Sequence, residues 1–263
     1  MTDSLDYSEL SEVDQYMLCK LNALCEKVFK AYENYSYDDV YRTIINYITN
    51  DLSAFYLDFT KDILYIEEMN NKQRRGIQTV LFANLDTLLR LLTPIIPFTC
   101  EEIYSFMNIS DKLESVYLLH MPELKEYPNS LELLDKYSKF MLVRADVLKA
   151  IENARNEKII GKSMSAKLVI YPNDSVKELL TSIKYDLATI FIVSEFCLSE
   201  VNIDGETFDS GVISVSAREG VICDRCWKVV DEVSEAGLCS RCQEIINNIQ
   251  GVSIWRNLQL FTP

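Results

Sequence analysis

Histidine is almost absent from this sequence, and with it most catalytic arrangements. The only histidine, His120, lies in an apolar stretch between Leu119 and Met121. A Ser-His-Asp or Cys-His site would depend wholly on that residue, and a lone histidine in such a stretch is usually structural. The 7 glycines are scattered and form none of the glycine-rich loops that cradle phosphates. The sequence therefore predicts no active site.

Long apolar runs and positive charge are also scarce. No stretch reaches the roughly 18 to 20 apolar residues that a membrane-spanning helix needs, so we expect no membrane span. The chain has 40 acidic and 26 basic residues, a formal net charge of −14. This balance argues against indiscriminate nucleic-acid binding, which depends on lysine and arginine neutralising phosphates. Residues 139–177 are an exception, with eight basic and four acidic side chains.

Cysteine, by contrast, is well represented, with eight residues of which four form two Cys-x-x-Cys pairs. Cys223 and Cys226 are followed, after 12 intervening residues, by Cys239 and Cys242. Four thiolates at this spacing fit one tetrahedral zinc ion, although the spacing does not distinguish zinc from iron. Gly237 permits the tight turn that would bring the pairs together. Metal binding worth on the order of 10 to 16 kcal/mol can fold a segment too short to build its own core.

Two oxidised alternatives exist for these pairs. Each pair could be a redox dithiol, but neither follows a strand and opens a helix in a βαβ pattern. Disulfides are disfavoured because the N-terminus lacks a signal peptide, so we expect a cytoplasmic, reducing compartment. The other four cysteines have no metal-ligand spacing, and we expect them to be buried as small hydrophobic residues. They are Cys19, Cys25, Cys100 and Cys197.

Helical periodicity dominates the first 157 residues. Leu18, Leu21, Leu24, Cys25 and Val28 recur at three- and four-residue steps, which is typical of a helix that buries one face. Pro94 and Pro97 interrupt the pattern, and Thr99 with Glu102 has the spacing of a capping box. Further helices are predicted over Asp38–Ile66, from Lys72 to Leu92, from Thr99 to Phe106 and over Leu131–Asn156.

After Gly161 the pattern changes to that of a small α/β unit. Lys167–Tyr171 is predicted as a strand, followed by a helix around Val176–Tyr185 and by a hairpin of Val201–Ile203 with Val212–Val215. The expected fold class is mainly α: an antiparallel helical bundle, a small α/β unit and a zinc-ribbon-like module with four cysteine ligands. The corresponding domains are residues 1–157, 158–219 and 220–263.

Several segments resemble a known family. In the first half they are Asp51–Asp58 (DLSAFYLD), Arg90–Glu102 (RLLTPIIPFTCEE), Ser115–Leu118 and Met121–Glu123. Together these are similar to the anticodon-binding bundle of class I aminoacyl-tRNA synthetases. Arg155–Ser163, Cys223–Trp227 and Gly237–Cys242 resemble the C-terminal part of the bacterial isoleucyl-tRNA synthetases in particular.

The resemblance implies a fragment without the catalytic and editing domains. The family's two ATP-binding signatures are missing, and Lys162–Ser165 has similar letters to one of them in another order. The whole enzyme would use ATP to attach isoleucine to its tRNA, in the cytoplasm and as a monomer. The fragment would hold the anticodon stem-loop of isoleucine tRNA and carry one Zn²⁺ on Cys223, Cys226, Cys239 and Cys242.

Five residues are predicted to contact tRNA: Trp227, Arg225, Lys228, Lys158 and Lys162. RNA recognition commonly stacks splayed loop bases on aromatic planes, which suits Trp227, although packing over the metal site is an equal alternative. Lys158 and Lys162 lie in the positive stretch and are expected to contact phosphates. The charges of Arg225 and Lys228 could instead offset the thiolates.

Two other kinds of protein fit the same residues. A free-standing zinc-containing interaction module would use the acidic bundle to dock a protein partner. A dithiol redox protein would use the Cys-x-x-Cys pairs. RNA binding that weakens steeply with salt would favour the tRNA-binding function over the interaction module. Metal analysis and thiol titration would test the redox alternative.

Overall fold

The protein is described by a computed structural model that covers residues 4–259 of the backbone and the side chains of residues 4–249. The chain divides into two compact units. Residues 4–58 and 72–137 form the first unit, and residues 59–71 and 138–259 form the second. The domain boundaries after residues 157 and 219 stay predictions.

The structure is mostly helical, as expected. Its α-helices are α1 (Glu12–Glu33), α2 (Tyr37–Asn46), α3 (Asp58–Ile66), α4 (Lys72–Leu92), α5 (Pro97–Phe106), α6 (Ser130–Asn156), α7 (Asp174–Ser182), α8 (Leu187–Phe191) and α9 (Ser240–Gln259). Its strands are β1 (Ala166–Pro172), β2 (Glu195–Leu198), β3 (Glu206–Phe208), β4 (Gly211–Ala217), β5 (Val221–Ile222) and β6 (Val229–Val230). No helix in the described part of the chain is long and apolar enough to span a bilayer.

Helix α1 of the first unit begins and buries one face as its sequence predicts. Ser11 caps it by accepting a hydrogen bond from the backbone N–H of Asp14, so one of the orphan donors at the helix start is satisfied. The predicted apolar stripe is buried throughout: Leu18, Leu21, Leu24, Cys25 and Val28.

The long helix expected over Asp38–Ile66 is helical throughout but not uniform. Between α2 and α3 the segment Tyr47–Leu57 widens into a π-helix. Tyr47 begins that segment, and its hydroxyl donates a 2.5 Å hydrogen bond to the Asn84 side chain inside the first unit. Apolar spacing predicted the helix but not its change of pitch.

The start of α5 differs from the expected capping box. Pro97 occupies the first helical position and Ile96 precedes it without a side-chain cap, so Thr99 lies inside the first turn. Proline suits that position because it lacks only an N–H that would have no intrahelical partner. A carboxylate of α5 does form hydrogen bonds, but it is that of Glu101. It accepts one from Ser115 Oγ at 2.8 Å and one from the Val116 N–H at 3.0 Å.

The second unit contains a four-stranded mixed sheet in the order β2-β1-β4-β3. Strand β1 pairs parallel with β2 and antiparallel with β4. Alternate residues of β1 are buried, as expected of a strand with one covered face. Phe140 of α6 and Phe191 of α8 stack at a centroid distance of 5.8 Å in this unit.

The hairpin was predicted in the wrong place. Glu206–Phe208, not Val201–Ile203, pairs with β4, and the side chain of Val201 is 71% exposed. The observed pairing needs only two connecting residues, whose tight turn ends at Gly211 with a φ of +132°. Two-residue loops are the commonest connections in β-hairpins. Strand β2 was not predicted.

Candidate metal centre and nucleic-acid interface

The four cysteines of the two Cys-x-x-Cys pairs come together as predicted. Their Sγ atoms all lie within 4.8 Å of one another, and all four residues are buried. Such a cluster could hold a metal ion. Four thiolates are a donor set suited to a thiophilic cation with tetrahedral geometry.

The first pair is held by a turn between the short strands β5 and β6. The N–H of Trp227 donates to the carbonyl of Cys223 at 2.9 Å, and the N–H of Cys223 donates to the carbonyl of Lys228 at 3.0 Å. Trp227 adopts a left-handed backbone conformation, with a φ of +62°. This turn points Cys223 and Cys226 toward the same interior and leaves the Trp227 side chain 69% exposed.

The second pair is placed by the predicted turn at Gly237, whose φ is +72°. Its N–H donates to Ser234, and its carbonyl accepts from the N–H of Asp224 at 3.0 Å, which ties the two halves of the module together. Cys239 directly precedes α9, and Cys242 lies in the first turn of that helix.

The thiols do not share one electrostatic environment. Burial acts to raise the pKa of Cys223, but backbone N–H donors from Cys226, Cys239 and Arg225 prevail and lower it to about 6. Burial raises the pKa of Cys226 and raises that of Cys242 to about 11. One sulfur is therefore ready to bind a cation near neutral pH, and a bound cation would favour loss of the remaining protons.

Unsatisfied donors near the cluster also fit a bound metal. Nη1 of Arg225 and Nη2 of Arg241 are buried and complete no hydrogen bond among the described residues. The Arg225 side chain nevertheless lies close enough to the Cys242 thiol to oppose the burial effect on its pKa. A thiolate accepts hydrogen bonds better than a neutral thiol, so metal-bound sulfur would suit the Arg225 donor.

Among the side chains of residues 4–249, the cysteines themselves make up most of the core around them. The buried cluster contains the four cysteines, Ile66 and Ile245, with Val230 and Leu238 packed against it. Few large apolar side chains within residues 4–249 take part. This agrees with the expectation that the segment is too short to build its own core.

The predicted tRNA contacts fall into two places in the second unit. Trp227 is exposed on the cysteine module, with Arg225 and Lys228 half-buried beside it. The Nη2 of Arg225 donates to the carbonyl of Ile66 at 2.7 Å, and the Lys228 Nζ lies 3.4 Å from the Thr189 hydroxyl.

The other two predicted contacts lie after the C-terminal end of α6. Lys158 and Lys162 are both exposed. Lys158 lines an open cleft of about 460 Å³ together with Glu152, Arg155, Asn156, Ile160 and Gly161. Arg155 and Lys158 are the two basic side chains that line it, and the exposed lysines are accessible to a phosphate.

Some contacts of the cluster had no signal in the sequence. Arg241 bonds to Asp62 and Glu67, which lie 179 and 174 residues earlier in the chain. No local pattern marks such partners, and only the folded chain brings them together.

Comparison with known proteins defines the class. The family model described as the anticodon-binding domain of tRNA ligase matches residues 14–170. The chain belongs to this family, which confirms the resemblance of its helical part.

Individual relatives point to one kind of ligase. The chain is 46% identical over 238 residues to the isoleucine–tRNA ligase of Bacillus licheniformis, covering 89% of this chain and 26% of the relative. It is 48% identical over 227 residues to that of Bacillus subtilis, covering 85% and 24%, and 44% identical over 236 residues to that of Lactococcus lactis, covering 88% and 25%. The chain thus spans about a quarter of the length of these relatives.

Proposed function

We propose that this chain is the tRNA-binding part of an isoleucine–tRNA ligase and that it holds the anticodon stem-loop of isoleucine tRNA. The observation that carries the proposal is the identity of 44 to 48% with isoleucine–tRNA ligases over most of the chain. The corresponding whole enzyme attaches isoleucine to its tRNA with ATP, as a monomer in the cytoplasm. Those steps belong to domains beyond this chain.

The metal in this proposal is one Zn²⁺ bound by Cys223, Cys226, Cys239 and Cys242. Their buried sulfurs, within 4.8 Å of one another, support it. Zinc prefers four thiolates in structural sites and stabilises small modules outright. Here it would hold the turn that carries Trp227, so its contribution is to position that side chain and not to catalyse a reaction.

Trp227 is the residue we assign to base stacking. Its side chain is 69% exposed, although tryptophan is a large apolar residue, so most of the indole is accessible to a ligand. An aromatic plane on a rigid turn suits an unpaired anticodon base, because stacking requires little reorganisation of the protein. If Trp227 mainly packed over the metal site, more of its ring would be buried than the structure shows.

The cationic residues differ in exposure and in whether a polar partner within the protein is seen for their side chains. Lys158 and Lys162 are exposed, and we assign them to phosphates of the stem-loop. Arg225 and Lys228 are half-buried, and each has a polar partner in the protein. We assign these two a supporting role, in which their positive charge favours RNA beside Trp227.

Filter binding of the 263-residue chain to isoleucine tRNA tests this function. Trp227→Ala should weaken binding by about 1 to 3 kcal/mol, on the order of 5- to 150-fold, with its zinc content unchanged. Tyr35→Ala, which removes another exposed aromatic ring in the first unit, is the matched control and should bind like the parent chain.

Two results would contradict separate parts of the proposal. Unchanged binding by a zinc-loaded Trp227→Ala chain would remove the stacking role. Equal binding of a tRNA whose three anticodon nucleotides are replaced would remove anticodon recognition. A parent chain whose RNA binding is weak and independent of salt would favour the protein-docking alternative.

A further inference from the structure

The C-terminal end of α3 lies against the cysteine cluster within the second unit. Ile66, the last residue of α3, shares a buried cluster with all four cysteines. Its carbonyl belongs to the last turn of a helix, where the oxygens have no partner within the helix. Arg225 supplies one, through a 2.7 Å hydrogen bond from Nη2.

A second arginine joins the same two elements. Arg241, next to Cys242, donates from Nη1 to Asp62 Oδ2 and from Nε to Glu67 Oε1, each at 2.8 Å. The side chains of Asp62 and Glu67 are only 15% exposed, so these bonds are shielded from water. Charge-assisted bonds of this kind are stronger than neutral ones.

The remaining donor of Arg225 connects this arrangement to the sulfurs. Its Nη1 is buried without a hydrogen-bond partner among the described residues, while Nη2 of the same guanidinium bonds to Ile66, which packs with the four cysteines. Four thiolates with one divalent cation carry a formal charge of −2, and a buried guanidinium would offset part of it. Groups that hydrogen-bond to metal ligands commonly tune metal affinity.

We propose that Arg225 is an outer-sphere residue of the metal site, which donates to a metal-bound thiolate of the cysteine cluster and holds the final carbonyl of α3. Arg241 supplies the second connection. Metal binding at the cysteines therefore fixes the end of α3 and the following residues 67–71. This inference rests on the metal site of the proposed function and adds a structural consequence that tRNA binding does not require.

Arg218 provides a matched control. It makes two ion pairs, at 2.6 Å each to Glu195 and Asp231, but bonds to neither the four cysteines of the cluster nor α3. Arg225→Gln, Arg225→Lys and Arg218→Gln are to be compared in the 263-residue chain. Zinc affinity is measured by competition with a chelator, and cobalt loading by the thiolate-to-cobalt absorption band.

The affinity result separates the outer-sphere role from general stability. Arg225→Gln should bind zinc about 10- to 100-fold more weakly, as is typical when a partner of a metal ligand is lost. Arg225→Lys keeps the charge but not the two-sided donor geometry, so its loss should be smaller. Arg218→Gln should keep the parent affinity.

Hydrogen exchange reads the end of α3 directly. The N–H of Glu67 bonds to Ile63 and that of Asn71 bonds to Glu68. Removing the metal from the parent chain should speed exchange at these amides and leave those of α1 unchanged. Metal-saturated Arg225→Gln should show the same faster exchange; if that variant does not fold, Arg225→Lys provides the comparison.

The outcomes distinguish this inference from the function it rests on. A parent chain that takes up neither zinc nor cobalt overturns the metal site and this inference together. Normal metal uptake with equal affinity in Arg225→Gln and Arg218→Gln overturns the outer-sphere role alone. If the rates of amide hydrogen exchange at Glu67 and Asn71 are the same with and without metal, the proposed coupling between the metal site and α3 is wrong.

Discussion

The hydroxyl of Tyr56 donates a 2.6 Å hydrogen bond to Oδ1 of Asp14, in the buried interior of the first unit. Asp14 is 1% exposed, and its other oxygen accepts from Ser11 Oγ at 2.7 Å. Burial raises the pKa of this carboxyl, although the hydrogen bonds from Tyr56 and Ser11 act in the opposite direction. The ionised carboxylate is therefore a net cost to the folded chain.

Asp14→Asn should make the stability of the first unit less dependent on pH. Because the folded-state pKa of Asp14 is raised, the folded chain binds the proton more tightly than the unfolded chain does. The contribution of Asp14 to stability is then highest below the unfolded pKa of 3.8 and falls as pH rises through the folded value. Urea unfolding of both chains should show that the free energy of unfolding of Asp14→Asn increases relative to that of the parent as pH increases.

Glu26→Gln, on an exposed position of the same helix, is the control for removing one acid. It should preserve the pH dependence of the parent chain. A parent chain whose stability rises with pH relative to Asp14→Asn would show that the hydrogen bonds outweigh burial, contrary to the expected direction.

Chelation should open the cysteine module and spare the first unit. Cys223, Cys226, Cys239 and Cys242 should then react quickly with a thiol reagent, since metal binding and folding are coupled in such a module. Cys19, Cys25 and Cys100, which are buried in the first unit, should stay protected.

Single substitutions test the same point without a chelator. Cys223→Ser should lose zinc on gel filtration, because it removes one of four ligands. Cys197→Ser, outside the cluster, should retain it. Simultaneous reaction of the buried first-unit thiols after chelation would contradict a local role for the metal.

Gly237→Ala should weaken metal binding through the backbone. A side chain at a φ of +72° costs about 1 to 3 kcal/mol, and a Cβ would also press on the Asp224 carboxylate. Gly161→Ala is the matched control, because a Cβ there meets nothing within 4 Å. Its thermal unfolding and zinc affinity should match the parent chain; equal behaviour of both variants would argue against a conformational demand at Gly237.

Lys158→Gln and Lys162→Gln should each weaken tRNA binding and flatten its salt dependence. Losing one phosphate contact should reduce the slope of log affinity against log salt by about 0.7 to 0.9. Lys177→Gln is the control, since that lysine already pairs with Glu200 at 3.4 Å. If all three variants have the same slope, the phosphates do not bind at Lys158 or Lys162.

Much of the fold followed from local patterns. Periodicity identified α1 and α4, and the strand at Lys167–Tyr171, because each of these buries a regular face that neighbouring residues reveal. It also predicted α6 as a helix but not its buried face, since Leu142 and Leu148 are exposed whereas Val143 and Val147 are buried. The predictions failed where two local signals competed. The tight turn before Gly211 sets the hairpin, so the apolar segment at Val201 does not pair with β4. Pro97 begins α5, so Thr99 does not cap the helix.

The sequence by itself determined the cysteine cluster, because its ligands lie within 20 residues and zinc-like spacing leaves few arrangements. Only the tertiary structure decided what surrounds it. The bond from Arg225 to Ile66 joins residues 159 positions apart, and the bond from Tyr56 to Asp14 joins residues 42 apart. Such pairs form because packing brings distant segments together and buried polar groups must find partners, and neither requirement leaves a periodic trace in the chain.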